Sequence, residues 1–513
     1  MKHILLFIAL FCCIQLQAQT AYFKVNNTGS LDKITRLSGG GYITSGFDSN
    51  YKHQYIRWDD SFTPLWKVKI TDPLVNPFSN FIIEANDGSF YATASTDANS
   101  GSLYVMKISS TGTILWQKTY SAPTAGERLF APCISKAAGT DNGFLFGTGD
   151  CTLSNCIVKC DANGAIEWQK QYYYPLASGV ITCWSIIPDG TGYVVSSGYN
   201  AKSLLTFKID ALGAIGTYSA NTYTWTPQII PTKLVKLNAS NGYALLGQYN
   251  NSNNNKTQFV AFYNNGLALQ SFNELTVTYT QFTLSDIAPI NNGQDVVVNG
   301  NMYDASKFYS AILKLSSTGT IGWKHLGEGN TSTTNKNVQF NGITALGNST
   351  VNVGTGSNEG AVVGIIDSSG GGLCNSLPFN VTNVPKTLTL ESASLTSFNS
   401  NVVSATVNYT NTNVVSYNKT IYCGSIPNAT QDFEELIAGF QVYPNPGDAS
   451  IVCESQDQKQ VTLSIRSLDG RTVFQQSFSD RIQISTTSWA NGLYSVTLNN
   501  GKAQVSRKLL IAH

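Results

Sequence analysis

Charged residues are scarce in this sequence of 513 residues. Asp, Glu, Lys and Arg together make up 12% of the chain, whereas an average soluble protein has about 25%. The formal net charge is only +1, so the chain offers no electrostatic footprint for nucleic acid or for an anionic membrane. We therefore expect no nucleic-acid partner. The low charge and the abundance of Gly, Tyr and Phe are typical of an extracellular β-rich protein and argue against long helices.

Residues suited to catalysis are also few. The sequence has four histidines, and only His53 and His325 lie between the N-terminal segment and the C-terminal region. It contains neither a G-x-S-x-G nor an H-E-x-x-H motif, and its adjacent acids are Asp59-Asp60 and Glu434-Glu435. We expect no metal, no cofactor and no catalytic residue, and we favour a protein without enzymatic activity. The alternative is a secreted carbohydrate-active hydrolase or lyase that uses carboxylates on one face of the protein.

A long hydrophobic run occurs once, at the N-terminus. Lys2 precedes the apolar residues 4–14, and a small residue, Ala18, stands before Gln19. This pattern is typical of a secretory signal peptide, here residues 1–18. The run is shorter than the roughly 20 residues of a membrane-spanning helix, so we favour a signal peptide over an anchor. No later segment is apolar enough to cross a bilayer, and we expect an exported protein without a transmembrane segment.

Export permits disulfides, and eight of the ten cysteines follow the signal peptide. Cys374 and Cys423 bracket a segment rich in Ser, Thr and Asn that contains no other cysteine, and they are the pair we favour. Cys151 and Cys156 flank a short hairpin loop and are a second candidate pair. Cys453 is expected to be a buried free thiol. A zinc site is disfavoured because the cysteine spacing is wrong and no histidine lies near.

Internal repeats decide the fold. Three segments share a turn glycine followed four residues later by a tryptophan: Gly112 and Trp116, Gly164 and Trp168, and Gly319 and Trp323. Weaker copies place the same anchor at Phe62, which Trp66 follows, and at Gly213, Gly266 and Gly370. The seven anchors are 50, 52, 49, 53, 53 and 51 residues apart. This spacing indicates seven consecutive repeats.

Each repeat contains four strand-like stretches separated by Gly or Asn. In the third repeat they are residues 133–138, 143–148, 155–161 and 165–173. Four strands per repeat, in seven repeats, predict an all-β protein with a seven-bladed β-propeller over residues 19–374. Ala21 begins a stretch that is similar to the outer strand of a repeat, whereas the segment after Gly370 departs from that pattern. We therefore predict that the N-terminal strand completes the last blade.

The glycine-to-tryptophan spacing, in a turn between the two outer strands, resembles the tryptophan-docking repeat of PQQ-like quinoprotein propellers. The resemblance covers residues 20–372 and concerns the local repeats only. The chain has seven repeats where that family typically has eight, and it lacks, after the signal peptide, the adjacent cysteine pair found near the quinone cofactor. We therefore expect no such cofactor. We assign to blade-to-blade packing the residues Trp66, Trp116, Trp168 and Trp323.

Two further sets of residues are candidate ligand contacts. Basic residues recur five positions before the anchor, and we expect them to protect the exposed side of the third strand, with a basic ring for an acidic glycan as the alternative. They are Arg57, Lys107, Lys159, Lys208 and Lys314. The second set consists of aromatic residues that could stack on a sugar, although we favour ordinary core packing for them. They are Tyr172, Tyr173, Tyr174, Trp184, Tyr223 and Trp225.

The C-terminal part of the chain differs in character. Residues 375–435 are rich in Ser, Thr, Asn and Val and almost uncharged, and we favour a β-rich linker there over an irregular eighth blade. From residue 436 a new alternating pattern begins, which predicts a small β-sandwich over residues 436–513. Pro444 and Pro446 cannot donate ladder hydrogen bonds, which suits an edge or a boundary.

Residues 436–513 closely resemble the type A C-terminal sorting domain of the type IX secretion system of Bacteroidetes. The residues that carry the match are Pro444, Asn445, Pro446, Gly470, Gly492, Tyr494 and Lys508. The resemblance implies that the type IX secretion machinery recognises these residues and that the protein crosses the outer membrane. It also implies later removal of the domain and attachment of the protein to surface lipopolysaccharide. We therefore predict a secreted or cell-surface propeller that presents a binding surface for a glycan, another protein or matrix.

Overall fold

The structure of the chain is a computed structural model. The residues that it describes are 21–26, 29–70, 75–96, 102–122, 129–149, 155–174, 182–198, 203–222, 229–238, 240–250, 256–277, 281–304, 307–327, 338–356, 360–372, 380–390, 395–399, 402–407, 411–412, 419–424, 440–455, 461–467, 472–499 and 504–513. The predicted signal peptide lies outside these residues. The chain divides into two compact units, Met1–Ile426 and Pro427–His513.

The described residues of the first unit are nearly all in β-strands, in keeping with their β-branched and aromatic composition. They include one short 3-10 helix, Asn291–Gly293. The strands are β1 (Ala21–Asn26), β2 (Ser30–Arg36), β3 (Tyr42–Phe47), β4 (His53–Trp58), β5 (Pro64–Ile70), β6 (Val75–Glu84), β7 (Phe90–Thr96), β8 (Leu103–Ile108), β9 (Ile114–Ser121), β10 (Phe130–Lys136), β11 (Phe144–Gly149), β12 (Asn155–Cys160), β13 (Ile166–Tyr173), β14 (Thr182–Asp189), β15 (Gly192–Gly198), β16 (Ser203–Ile209), β17 (Ile215–Thr222), β18 (Ile229–Lys236), β19 (Tyr243–Asn250), β20 (Lys256–Tyr263), β21 (Leu269–Val277), β22 (Gln281–Ile290), β23 (Asp295–Asp304), β24 (Lys307–Ser316), β25 (Ile321–Gly327), β26 (Val338–Leu346), β27 (Ser349–Gly356), β28 (Gly360–Ile366), β29 (Val381–Lys386), β30 (Thr389–Leu390), β31 (Thr396–Asn399), β32 (Val403–Thr406), β33 (Asn411–Thr412) and β34 (Lys419–Gly424).

Seven antiparallel sheets of this unit are built from strands that follow one another along the chain, from β2–β5 to β26–β28. We number these sheets one to seven in chain order. The first strands of neighbouring sheets contact one another in a closed series, from β2 with β6 to β22 with β26, and β26 contacts β2 again. The sheets therefore stand around a common centre. The all-β propeller fold predicted from the repeats is confirmed.

The N-terminal strand closes this series, as its resemblance to an outer strand predicts. β1 pairs antiparallel with β28, from Ala21 opposite Ile365 to Asn26 opposite Gly360. It is therefore the fourth strand of the seventh sheet, whose other three strands lie more than three hundred residues later in the chain. Ladder hydrogen bonds between distant parts of the chain thus hold the ring shut.

In the first six sheets, one residue with a positive φ angle sets the turn between the third and fourth strands. Glycine adopts such angles without strain, and φ is 89° at Gly112 and 72° at Gly164. In the fifth sheet the anchor is Leu267, with a φ of 64°, and not Gly266, so that detail of the sequence prediction is wrong. Phe62 has a φ of 60° in the first sheet. Both of these non-glycine side chains are fully buried, so packing compensates for the backbone strain.

Four repeated tryptophans dock the sheet that carries them onto the next sheet. In each case the indole Nε1–H donates a hydrogen bond to a backbone carbonyl two residues before the next sheet's anchor. The bonds run from Trp66 to Ser110 O (3.0 Å), from Trp116 to Ala162 O (3.1 Å), from Trp168 to Ala211 O (2.9 Å) and from Trp323 to Ser368 O (2.8 Å). The recurrence of this contact confirms the packing role expected for these four residues.

Residues 375–435 do not form a sheet of their own in the part of the chain that the structure describes. Their strands each add a fifth strand to the outer edge of a different sheet. Along the chain they join sheets five, four, three, two, one and seven, and we call residues 381–424 the belt. The antiparallel pairs are β29 with β21, β30 with β17, β31 with β13, β32 with β9, β33 with β5, and β34 with β1.

Apolar residues of the belt recur at intervals of seven and fill the grooves between neighbouring sheets. Val381 belongs to the apolar cluster between sheets five and six, and Leu388 packs on the cluster between sheets four and five. Leu395 belongs to the cluster between sheets three and four, and Val402 to that between sheets two and three. Their burial makes the belt part of the core of the first unit rather than a spacer.

The second unit is the small β-sandwich that the sequence predicts. Its strands are β35 (Phe440–Tyr443), β36 (Ser450–Ser455), β37 (Val461–Ser467), β38 (Thr472–Phe478), β39 (Arg481–Ser485), β40 (Gly492–Asn499) and β41 (Gln504–Ile511). One sheet has the strand order β35-β36-β39 and the other β38-β37-β40-β41. They share one apolar core that contains Ile451, Leu463 and Val496. Cys453 is a fully buried free thiol in this core, as predicted.

Candidate functional site

Basic residues of the third strands form ion pairs with acids at the turn between the first two strands of the same sheet. The pairs are Lys107 with Asp87 (3.0 Å), Lys159 with Asp141 (2.6 Å), Lys208 with Asp189 (2.8 Å) and Lys314 with Asp295 (2.9 Å). In the first sheet, Arg57 donates to Gly40 O at 2.7 Å. Only 8% of the Lys107 side chain is exposed. Each third strand is paired on both sides, so these residues do not protect an exposed edge, and that expectation is wrong. Their ion pairs with acids argue against the alternative of a basic ring.

The third sheet departs from this pattern because Lys159 has a second carboxylate partner. Its Nζ lies 2.5 Å from Glu167 Oε2, and only 3% of its side chain is exposed. Glu167 stands three residues after the anchor Gly164. The corresponding residues of the other repeats carry no charge; they are Leu65, Leu115, Gly216, Gln270, Gly322 and Leu373. Because the other repeats do without an acid here, Glu167 is not part of the common framework, and it marks a candidate site.

This cluster lines a pocket between the third and fourth sheets with a volume of about 490 Å³. The side chains that form its walls include Thr140 and Trp168 of the third sheet and Thr191, Tyr193 and Leu212 of the fourth. The Tyr193 hydroxyl accepts a hydrogen bond from Ala138 N–H at 3.0 Å, which fixes the ring. Leu212 is 72% exposed and stands at the rim. The pocket is therefore part aromatic and part anionic.

Charge interactions shift the pKa values of Asp141 and Lys159 in the direction that favours their ionised forms. Burial raises the pKa of Asp141, but hydrogen bonds from Lys159 and from Gly143 N–H outweigh it, so the pKa lies below its ordinary value. Burial lowers the pKa of Lys159, but Asp141 and Glu167 outweigh it, so the pKa lies above its ordinary value. Two carboxylates against one ammonium leave the pocket with a net negative charge. Such oxygens accept hydrogen bonds from hydroxyl groups, and the indole offers a flat apolar surface beside them.

The aromatic residues predicted to stack on a sugar do not line this pocket. Tyr172 and Tyr174 are fully buried in the cluster between sheets three and four, so core packing, the alternative we favour from the sequence, describes them. Tyr173 is 40% exposed. Trp184 is half-buried, and its Nε1–H donates to a backbone carbonyl at 2.8 Å. Two more candidates lie outside the described residues: Tyr223 and Trp225.

The acids and histidines considered in the sequence as catalytic candidates make contacts that stabilise the fold. Asp59 Oδ1 accepts two backbone N–H bonds within its own turn, and Asp60 pairs with Arg36. His53 is buried in the first sheet, and the ring of His325 packs on a tryptophan. Across the described ranges, no three His, Cys, Asp or Glu side chains are grouped as metal ligands. Glu434 and Glu435 lie outside the residues that the structure describes.

The structure describes only some of the cysteines in the two predicted disulfides. Cys156 is a buried free thiol in the structure, and its predicted partner Cys151 lies outside the described residues, so the pairing of Cys151 with Cys156 stays a prediction. Cys151 and Cys374 lie outside the described residues, and so does the side chain of Cys423. The backbone of Cys423 belongs to β34 and stands opposite Tyr22 of β1. The pairing of Cys374 with Cys423 therefore stays a prediction.

The residues matched to the sorting domain converge at one end of the sandwich. Asn445 Oδ1 accepts a hydrogen bond from Leu510 N–H at 2.9 Å, and Gly447 N–H donates to Leu510 O at 2.8 Å. Gly492 stands opposite Ile511 in the ladder of β40 and β41. The first residues of the domain therefore lie directly against its last strand.

This end of the sandwich combines an exposed surface with a buried support. Its exposed residues include Pro444, Asn445, Pro446 and Leu510. Tyr494 is only 6% exposed, and its ring centroid lies 5.3 Å from that of Trp489, so it supports the surface from within. Lys508 belongs to β41, opposite Ser495. Its side chain and Gly470 lie outside the described residues.

Solved structures similar to this chain share little sequence with it. Raptor from Chaetomium thermophilum is 11% identical with a TM-score of 0.41, over 70% of this chain and 30% of Raptor. The C-terminal WD40 domain of Sif2 is 10% identical with a TM-score of 0.37, over 67% of this chain and 98% of that domain. A protein of unknown function from Bacteroides caccae is 12% identical with a TM-score of 0.34, over 55% of this chain and 90% of that protein. No curated protein matches the chain.

A family match covers the C-terminal unit. Residues 441–512 match the secretion system C-terminal sorting domain, in agreement with the resemblance seen in the sequence. No helix in the described part of the chain is long and apolar enough to cross a membrane. The matched range contains the sequence motifs described above, and the structure brings several of their residues together at one end of the sandwich. The chain thus carries a C-terminal sorting domain of the type IX secretion system, and it is exported to the cell surface or beyond.

Proposed function

We propose that the exported propeller binds a neutral saccharide, without catalysis, in the pocket between its third and fourth sheets. The observation that carries this proposal is the Glu167 carboxylate, which only the third repeat adds to an otherwise recurrent Lys–Asp pair. The volume of about 490 Å³ lies within the range of small-molecule sites. Protein or matrix binding elsewhere on the propeller is the broader expectation from its fold.

The charges in the pocket favour a neutral ligand over an acidic one. Lys159 is the basic side chain among the lining residues, and both carboxylates already neutralise it. An acidic glycan would therefore meet net negative charge without a free cation to bind it. A neutral sugar can instead donate hydroxyl hydrogens to the exposed faces of Asp141 and Glu167, whose side chains are 44% and 47% exposed, and place its apolar face near Trp168.

The same contacts argue against a hydrolase or lyase at this pocket. A glycosidase needs one carboxyl group that stays protonated as an acid while the other is ionised. Lys159 lies 2.6 Å from Asp141 and 2.5 Å from Glu167, and Asp141 has a lowered pKa. The lowered pKa of Asp141 argues against this residue as the protonated acid of such a pair. We therefore favour binding over turnover.

Screening on an array of neutral oligosaccharides, followed by calorimetric titration, tests this proposal. We expect Glu167→Gln to weaken the binding of the best ligand about 10-fold or more, because a charged hydrogen-bond acceptor is lost. Leu115→Gln is the matched control, since Leu115 occupies the corresponding position of the second repeat and is 54% exposed. Unchanged affinity of Glu167→Gln would place the ligand elsewhere. Release of products from any polysaccharide would overturn the non-catalytic role.

We further propose that the secretion machinery reads the exposed end of the sandwich and that the domain is then removed and the body attached to surface lipopolysaccharide. Its contact residues would be Pro444, Asn445, Pro446, Gly470, Gly492 and Lys508, and the buried Tyr494 would support them from within. The proposal rests on the sorting-domain match and on the exposure of the residues around Pro444.

Deletion of residues 436–513 tests this part of the proposal. We expect the truncated protein to accumulate, folded, in the periplasm, because the first unit has its own core and ends before residue 427. Fractionation and limited proteolysis give the readout, and the full chain is the control. Normal amounts of truncated protein outside the cell would contradict the sorting role, whereas an unfolded truncated protein would show that the two units depend on each other.

A further inference from the structure

Two cysteines meet in the interface between the third and fourth sheets. Cys133 belongs to β10 and Cys183 to β14, the first strands of these sheets. Their Sγ atoms lie 3.7 Å apart, and the Cys133 thiol is 3.4 Å from Cys183 O. Cys133 is 7% exposed and Cys183 is fully buried. The sulfur atoms are therefore in van der Waals contact and shielded from water.

The neighbouring strand leaves space for this sulfur pair. Gly147 of β11 stands opposite Cys133 in the ladder. A Cβ atom at Gly147 would overlap Cys183 Sγ and would lie 2.9 Å from Cys133 Sγ. Equivalent positions of the other sheets, each opposite the residue seven before that sheet's anchor, carry side chains: Ser45, Thr93, Ser196, Leu246, Asn299 and Val353. Glycine thus occurs at this position where two sulfur atoms need the room.

We propose that Cys133 and Cys183 form a disulfide that joins the third and fourth sheets in the exported protein. An exported chain passes through an oxidising compartment in which disulfides form and persist. A bond requires the two sulfur atoms to approach to about 2.05 Å, which asks for a small side-chain movement from the present contact.

The bond would form by exchange with an oxidised dithiol protein of that compartment. The thiolate of one cysteine attacks the donor disulfide, so that a mixed disulfide forms and one donor sulfur leaves as a thiol. The thiolate of the second cysteine then displaces the other donor sulfur. The chain loses two protons and two electrons, and the donor gains them as a dithiol. Burial raises the pKa of Cys183 well above its ordinary value, so the exchange takes place before the two sheets have closed.

Peptide mapping of the full-length protein, purified without reductant, tests this proposal. The chain is denatured, alkylated and cut with trypsin, which places Cys133 in residues 129–136 and Cys183 in residues 171–202, each without another cysteine. We expect these two peptides to appear joined, with a mass about 2 Da below their sum. Cys160 lies alone in residues 160–170 and is a buried free thiol, so it should be alkylated in the same sample. Full alkylation of Cys133 and Cys183 without reductant would overturn the proposal.

Two variants sharpen the assignment. Cys133→Ala should leave Cys183 fully alkylated, whereas a Cys183 that remains blocked in this variant has a different partner and contradicts the proposal. Gly147→Ala should lower the linked fraction, because the added methyl group takes the space of the sulfur atoms. A reductant should lower the Tm of the wild-type chain by more than that of Cys133→Ala, because the variant can lose only the bond predicted between Cys374 and Cys423. Equal shifts in both would mean that the bond does not join the sheets.

Discussion

The seven sheets and the belt are built from the same antiparallel ladders but differ in where their partners lie along the chain. Every strand of a sheet pairs with a chain neighbour, except β1, whereas every belt strand pairs with a strand from a distant part of the sequence. β29 pairs with β21, but β33 pairs with β5. Local pairing leaves a repeat with many shared positions in the sequence, whereas the belt leaves only apolar residues that recur at intervals of seven. The sheets and the belt can therefore be equally important for the structure and still differ in how clearly the sequence reveals them.

Replacing Trp66 with Ala should have the largest effect among substitutions in the sheets. Trp66 is 3% exposed and joins the first sheet to the second through Ser110 O. We expect a loss of about 3–5 kcal/mol in the free energy of unfolding, because a buried aromatic side chain is removed and a cavity remains. Chemical denaturation of the body gives the measurement. Trp323→Ala, which removes the same hydrogen bond from a more exposed ring, should cost clearly less.

Reduction of a disulfide between Cys374 and Cys423 should have the next largest effect. These residues are 49 apart, seven times the seven-residue interval at which Val381, Leu388 and Leu395 recur in the belt. A bridge across such a loop typically contributes about 2–4 kcal/mol. Tryptic peptides covering residues 337–386 and 420–459 should be joined without reductant. Two free thiols at these positions would refute the pairing.

Leu395→Ala tests whether the belt contributes to stability as the sheets do. Leu395 is 7% exposed and lies in the cluster between sheets three and four. We expect a loss of about 2–3 kcal/mol. Val403→Ala is the control, because Val403 lies in the same belt but is 53% exposed, and its effect should stay within about 0.5 kcal/mol. If both substitutions change the free energy of unfolding by little, the belt acts as a spacer and not as part of the core.

The smallest effect concerns Asp32, on the first strand of the first sheet. Burial raises the pKa of this carboxyl group to about 6. Between about pH 4 and pH 6 the folded state then binds more protons than the unfolded state, so the free energy of unfolding falls as the pH rises. Asp32→Asn should remove this fall and stabilise the body by about 1–2 kcal/mol at pH 8 but not at pH 4. Parallel pH profiles of the two proteins would contradict this.

Sequence periodicity was sufficient for the sheets, the closing strand and the sandwich, because each depends on residues that repeat or match at fixed spacing. Leu267 was missed as an anchor because Gly266 beside it is the better turn former, and the buried leucine side chain decides the register instead. The pairing of Lys107 with Asp87 was also missed, because the two residues are 20 apart and meet only through the hairpin. Single-sequence patterns carry no signal for such contacts.

The candidate pocket was only partly accessible to sequence reasoning. Periodicity identifies Trp168 and Lys159 as members of repeated sets but does not single out Glu167, although the other repeats have leucine, glycine or glutamine at its position. Residues that break a repeat are therefore better candidates than residues that follow it. The other half of the pocket, around Tyr193 and Leu212, comes from the next sheet, and only the ring geometry brings it close.

The path of the belt determines how the first unit would respond to a pulling force. Tension applied to the chain beyond residue 424 reaches β34 first, then β33, β32 and the earlier belt strands in turn. Each of them is held by a short ladder to a different sheet. These ladders are loaded in series, so they would release one at a time, while β1 keeps its separate ladder to β28. The belt would thus lengthen in steps and dissipate the work of pulling before the ring opens.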